Sequence, residues 1–276
     1  MLPELFIDRS NNLFRFFILF YIVAIIGFFL NLDPNGGAYL DYLNQKRISE
    51  EFSINFQDKF LNFDKESTRH SPVLLIILLI FEKFQFPDIY IRLINFHFCL
   101  LLPILVYRLI ILRFHFIEKK AAVLLSCLIF LSPTYISLSN WPDSRIYGLI
   151  FFCLSLINYI RFTLDNKISY SYKCIFWYAI SSYFSLNFAL FSIFFIYKFF
   201  NYLKFQKQFL YLIIINIFLA TPALIYILSL DTIFFLKSGV SGKGFDLLES
   251  LNYSNKILII STIIMFYLIP FFSGKL

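Results

Sequence analysis

The chain alternates between long apolar blocks and short polar breaks. Apolar runs cover about Phe14–Leu32, Pro72–Phe84, Ile89–Leu112, Ala121–Ser139, Ile146–Ile160, Cys174–Phe200, Phe209–Leu230 and Ile257–Phe272. At about 1.5 Å per helical residue, most of these approach the ~30 Å hydrocarbon core of a bilayer. Pro72–Phe84 reaches only about 20 Å, and Pro87 separates it from the next run, so it reads as an interfacial or re-entrant helix. Cys174–Phe200 is either one long helix or two short ones meeting around Ser181, Ser182, Ser185 and Asn187. Uniformly apolar segments of this length satisfy their backbone only as helices. The pattern therefore predicts an all-α, polytopic transmembrane bundle of about eight spans. It forms one module over residues 1–276, without an internal repeat, and has interfacial helices in its first polar loop.

Composition agrees. The 276 residues are 59% hydrophobic with 39 Phe, and only 15% are charged. That leaves too little polar side chain to coat a water-facing surface, where soluble domains sit near 45–50% apolar. The run Leu13–Leu32 is too long for a signal-peptide core, and no small-residue cleavage site follows, so it reads as a retained first span. Cys99, Cys127, Cys153 and Cys174 lie in or beside apolar runs with no CxxC spacing, which suggests neither a disulfide nor a zinc site.

The net charge of +7 changes the picture through its distribution. Basic residues gather at the N-terminus, over 108–120, over 161–173 and over 198–207. This is the positive-inside pattern, not a nucleic-acid surface. It puts the N-terminus in the cytoplasm and turns 33–71, 140–145 and 231–255 outward, provided that Pro72–Phe84 does not cross. A multi-pass protein of a bacterial inner membrane is the expected setting.

Candidate chemistry lies in the outward loops, because ionisable groups at a membrane boundary are costly unless used or paired. Asp33 and Asp41, in LDPNGGAYLDY, are candidate general bases or metal ligands; the plainer alternative is a turn and a helix start. Arg69 and His70 precede Ser71-Pro72 at a helix opening, where donors suit a phosphate. Asp143 and Arg145, in Trp141-Pro142-Asp143-Ser144-Arg145, are either functional or a structural ion pair. Lys237, Gly239, Gly242, Lys243 and Gly244 can cradle phosphate oxygens without matching a P-loop. His97 falls mid-span and is expected to be a hydrogen-bonded interior residue; neither it nor His115 has a ligand partner at useful spacing, so no metal is assigned to either.

The order of these elements resembles the GT-C glycosyltransferases, polytopic enzymes that use polyprenyl-phosphate-linked sugars, in the style of protein mannosyltransferases and aminoarabinose transferases. A first span leads to an acidic residue, Asp33 or Asp41. His70-Ser71-Pro72 then opens a short helix, Arg92 follows in the next span, Leu131-Ser132-Pro133 ends another, and Asp143 opens the span after it. The resemblance covers roughly residues 14–160 and favours Asp41-Tyr42 over Asp33 as the acidic-aromatic motif. It departs in having Ser71-Pro72 where the family has a double Pro, and in its length, which reads as a minimal, truncated or inactive form. The resemblance implies sugar transfer on the outer face to an acceptor it does not identify. Asp41 would be the base and Asp143 an orienting or metal-binding group, with Asp33 a further catalytic candidate. Arg69, His70, Arg92, Arg145 and Lys243 would contact phosphate. Some members use a divalent cation such as Mg or Mn. The rival classes are a transporter or flippase subunit, which needs polar groups near the bilayer midplane, and an inactive assembly subunit.

Overall fold

The computed structural model describes residues 11–34, 36–65 and 71–229. The elements there are all helical: α1 (Asn11–Phe29), α2 (Ala38–Ile54), α3 (Phe56–Leu61), α4 (Pro72–Lys83), α5 (Asp88–Cys99), α6 (Leu101–Arg113), α7 (Lys119–Cys127), α8 (Pro133–Asn140), α9 (Ser144–Asp165), α10 (Ile168–Phe184), α11 (Ser192–Leu203) and α12 (Lys207–Ser229). Four helical stretches are long and apolar enough to cross a membrane: Asp88–Arg113, Ser144–Asp165, Leu186–Leu203 and Lys207–Leu228. A fifth is added if Lys119–Leu131 and Pro133–Asn140, bent by 67°, count as one span. Phe17–Phe29 is a shorter apolar helix. The expected run Ile257–Phe272 and the loop 231–255 lie outside the described residues.

The second half is an antiparallel stack. Ser181 of α10 donates to the Gly148 carbonyl of α9 at 2.7 Å, and Ser155 meets Cys174 at 3.3 Å, so α10 runs back along α9. The chain turns again at Ser185, resolving Cys174–Phe200 into two helices. The 3₁₀ turn Leu186–Phe191 and α11 then retrace α9, through Phe152–Phe191, Tyr159–Phe195 and Phe162–Phe199 ring contacts. A Cβ at Gly148 would come within 2.8 Å of the Phe188 ring, so glycine permits this turn to close on α9. The α12 helix returns antiparallel to α11: Phe200 meets Phe209 at one end, and Tyr226 donates to the Phe60 carbonyl at the other.

Proline shapes two elements. Pro103 in α6 has no N–H for the carbonyl of Cys99, four residues earlier; Tyr135 of α8 donates to that carbonyl instead, at 3.1 Å. The expected continuous span Ala121–Ser139 is broken at Ser132, whose hydroxyl accepts from the Tyr135 N–H while Pro133 starts α8. The apolar run hides this bend, which a Ser-Pro helix start encodes.

Helix α4 does not traverse the bundle. Its Leu74, Leu75 and Leu78 are buried in clusters shared with Tyr42, Ile48 and Phe52 of α2. Ser71 at its start donates to the Tyr183 carbonyl, and Asp88, soon after its end, accepts from Lys46 of α2. Helices α2 and α4 therefore form one layer, in which the start of α4 meets the end of α10 and the chain beyond its end returns to α2. The end of α8, the start of α9 and the end of α10 lie against the same layer, so the residues once divided among 33–65, 140–145 and 183–185 share one end of the molecule. The α6–α7 turn, the α9–α10 turn and the α11–α12 turn share the other, and Arg108 and Arg161 lie within electrostatic reach of each other towards it.

Candidate functional site

The helix α2 is set by the turn before it. Gly36 and Gly37 take φ of 65° and 150°, values that exclude most side chains. The Asp33 carboxylate accepts from the N–H groups of Gly37 (3.0 Å) and Tyr39 (3.1 Å), closing the start of α2. Burial alone would raise its pKa, but these donations outweigh it and hold the carboxyl below the usual range. Asp33 is thus placed as a backbone cap.

One turn further on, Asp41 meets the start of α9. A single Arg145 nitrogen lies 3.2 Å from Asp41 Oδ2 and 2.6 Å from Asp143 Oδ2, which sets the two carboxylates within about 6 Å of each other. Asp143 Oδ1 also accepts from Arg145 Nε (2.9 Å) and from the Arg145 backbone N–H (2.7 Å), so it caps α9 while gripping the guanidinium with both oxygens. The two acids differ in access. The Asp143 side chain is 1% exposed, whereas Asp41 is 32% and Arg145 38% exposed. Asp143 is an internal anchor; Asp41 and one edge of Arg145 face out.

Arg92 is brought to the same end but turned inward. It donates to the carbonyls of Asn140 (3.1 Å) and Phe28 (3.4 Å) and lies over the Trp141 ring at 3.8 Å. Asn95, one turn along α5, donates to the carbonyls of Leu138 (3.2 Å) and Ser139 (2.6 Å). The last carbonyls of α8 have no intrahelical N–H, and α5 supplies both their donors and a cation at the negative helix end. Asn140 in turn donates to the carbonyls of Gly27 and Leu32, tying α8 to the end of α1.

A neighbouring cluster escaped the sequence reading. Lys46 contacts Asp88 at 2.8 Å and the Tyr42 hydroxyl donates to the same oxygen at 3.4 Å. Burial, then the Asp88 charge, pushes the Tyr42 hydroxyl pKa up, and the Asp88 hydrogen bond raises that of Lys46. The usable signal was Tyr42 and Lys46 at helical i,i+4 spacing. Among the described residues, buried side-chain atoms without a hydrogen-bond partner are Asp33 Oδ1 in the turn before α2, both Gln45 amide atoms and Ser49 Oγ in α2, and Asn140 Oδ1 and Trp141 Nε1 at the α8–α9 junction.

Arg69, His70 and Lys243 lie outside the described residues. His97 is exposed on α5 rather than interior, though its ring contacts the Leu93 carbonyl (2.8 Å) and the Tyr21 hydroxyl (3.4 Å). The donor set does not fit a divalent cation. The Arg145 guanidinium already lies between Asp41 and Asp143, and no group of three His, Cys, Asp or Glu gathers among the described residues. Comparison with family models, curated proteins and solved structures returns no match, so function has to be argued from the geometry.

Proposed function

We propose that the chain is a multi-pass membrane glycosyltransferase of GT-C type, moving a sugar from a polyprenyl-phosphate carrier to an acceptor at the outer face of a bacterial inner membrane. In this reading α1, α5–α6, α7–α8, α9, α10, the Leu186–Leu203 stretch and α12 each cross, and Ile257–Phe272 is the eighth span. The N-terminus and the basic turns are then cytoplasmic, as the positive-inside rule asks. The observation that carries the reading is the meeting of Asp41 and Asp143, from separate segments, on one arginine at the end where α2 and α4 lie.

The chemistry follows from the three side chains. An acceptor O–H or N–H attacks the anomeric carbon, the bond from that carbon to phosphate oxygen breaks, and the lipid phosphate leaves with the electron pair. Asp41, the accessible carboxylate, takes the acceptor proton. Arg145 stabilises charge on the departing phosphate oxygen. Asp143 positions Arg145. The carrier tail would lie against the exposed apolar faces of the crossing helices, which lipid covers. A transport reading needs polar groups at mid-membrane. It is less well supported, because the polar bend after α10 falls at the same end as α2, and because buried Arg92, Asn140 and Asp143 gather there too.

The test uses purified protein in nanodiscs with a panel of polyprenyl-phosphate hexoses and pentoses, following release of polyprenyl phosphate. Release that depends on the protein supports the reading. No release from any donor, with an intact fold, would leave the transporter and assembly-subunit classes.

A further inference from the structure

The end of the molecule away from α2 gathers positive charge from three helices. The α5–α6 stretch and α9 run parallel: both begin beside α2, and Phe98 meets Tyr147 and Phe151 at ring distances of 5.1 and 6.1 Å. Ten residues beyond Phe98 and Phe151, the same register brings Arg108 to Arg161, and the two guanidinium groups lie within electrostatic reach of each other. Arg161 Cζ also lies 5.9 Å from the centre of the Tyr170 ring in the first turn of α10, and Lys173 Nζ lies 5.8 Å from the same ring. Arg108 and Arg161 are half-buried and Lys173 is exposed. The turn between α9 and α10 adds one acid and one base, Asp165 and Lys167, which offset each other in charge.

The depth of this corner is that of a membrane boundary. Arg108 lies five residues before the end of α6 and Arg161 four before the end of α9, so both Cα atoms sit about 6–8 Å inside the helix ends. Their long side chains reach the headgroup level from there. Tyr159 and Tyr170 flank them, as amphipathic rings do at a bilayer interface. Two like charges brought together at half-burial repel each other. An anion between them turns that repulsion into two attractions, and the planar guanidinium fork suits phosphate oxygens. Phe176 lies three residues beyond Lys173, towards the bilayer interior, and is 48% exposed, so it can meet an acyl chain below the headgroup.

We propose that this corner of α6, α9 and α10 binds the phosphate of an anionic phospholipid, with Arg108 and Arg161 as its clamp and Lys173 at its rim. The site is independent of the transferase reading, whose Asp41, Asp143 and Arg145 lie at the opposite end. The experiment is titration of the full chain in neutral detergent micelles with dioleoyl phosphatidylglycerol or dioleoyl phosphatidylcholine, read by native mass spectrometry. Each arginine meeting the headgroup charge is worth about fivefold in affinity. Wild type should prefer phosphatidylglycerol by at least about fivefold, Arg161→Gln should weaken its binding about fivefold, and R108Q/R161Q about 25-fold. K204Q/K207Q removes the same charge from the α11–α12 turn at the same end, and should weaken binding by less than about threefold because distant exposed charges are screened. Equal binding of the two lipids by wild type overturns the proposal, as does a loss in K204Q/K207Q as large as in R108Q/R161Q. Undecaprenyl phosphate retained in preference to phosphatidylglycerol through the same arginines would also overturn it, by assigning the corner to a carrier lipid. The wild-type comparison needs no variant, so a misfolded R108Q/R161Q leaves the test standing.

Discussion

Removing Arg145 should destabilise the protein more than removing either acid it binds. Arg145→Ala leaves the Asp143 carboxylate, 1% exposed, without its counter-charge. Stranding a buried charge in this way costs about 3–5 kcal/mol. Asp143→Ala removes a helix cap, about 1 kcal/mol. It leaves Arg145, which is 38% exposed and still touches Asp41, able to turn to water, so its total is about 2 kcal/mol. Asp41→Ala breaks an exposed contact with Arg145, worth about 0–1 kcal/mol. The double variant D143A/R145A strands nothing and should cost less than the sum of the singles by about 1–3 kcal/mol. Reversible unfolding in mixed detergent–SDS micelles, followed through the tryptophan fluorescence to which Trp141 contributes, gives the four values. The reasoning fails if R145A is no more damaging than D143A, or if the double variant is additive.

Three further outcomes follow from single contacts. The folded Asp33 carboxyl lies below its ordinary value of 3.8, so its capping contribution is complete above that value and is lost as pH falls through the folded pKa. Wild type should lose more stability than Asp33→Asn between about pH 5 and pH 3, and equal losses would refute the cap. Gln45→Met replaces a buried, unpartnered amide with an apolar chain of similar volume and should stabilise by about 1–2 kcal/mol; a loss of more than about 1 kcal/mol would show that the amide is satisfied. Tyr135→Phe orphans the Cys99 carbonyl and should cost about 1–2 kcal/mol, but less in a Pro103→Ala background, where a backbone N–H is restored.

What the sequence revealed and what it hid divide along a physical line. The long apolar helices Asp88–Arg113, Ser144–Asp165 and Lys207–Leu228, the short α4, and a break near Ser185 as one of two readings were legible because they are local: apolar length, proline and serine act on the residues beside them. Asp41, Asp143 and Arg145 were legible as candidates because charge at a membrane boundary is expensive unless used or paired. Their meeting was not, since it depends on α2 folding back over the α8–α9 junction. Arg92 was a phosphate ligand only as the family resemblance implies; it donates to the Asn140 carbonyl at the end of α8, which is orphaned because that helix stops there, and to the Phe28 carbonyl of α1. Asp33 looked like a possible base, and the same LDPNGG turn that suggested a helix start engages its carboxylate. His97 was taken as interior because polar groups avoid lipid, yet contacts to the Leu93 carbonyl and Tyr21 satisfy its ring at the surface.

The most direct measurement is the rate of polyprenyl-phosphate release by wild type, Asp41→Asn and Asp33→Asn, in nanodiscs at matched protein content, with the donor found active for wild type. Loss of a general base typically lowers turnover by about 10²–10⁴-fold. A fall in that range for D41N, with D33N close to wild type, is the expected result. Comparable activity in D41N, or a loss confined to D33N, would contradict the assignment of the accessible carboxylate beside Arg145 as the base.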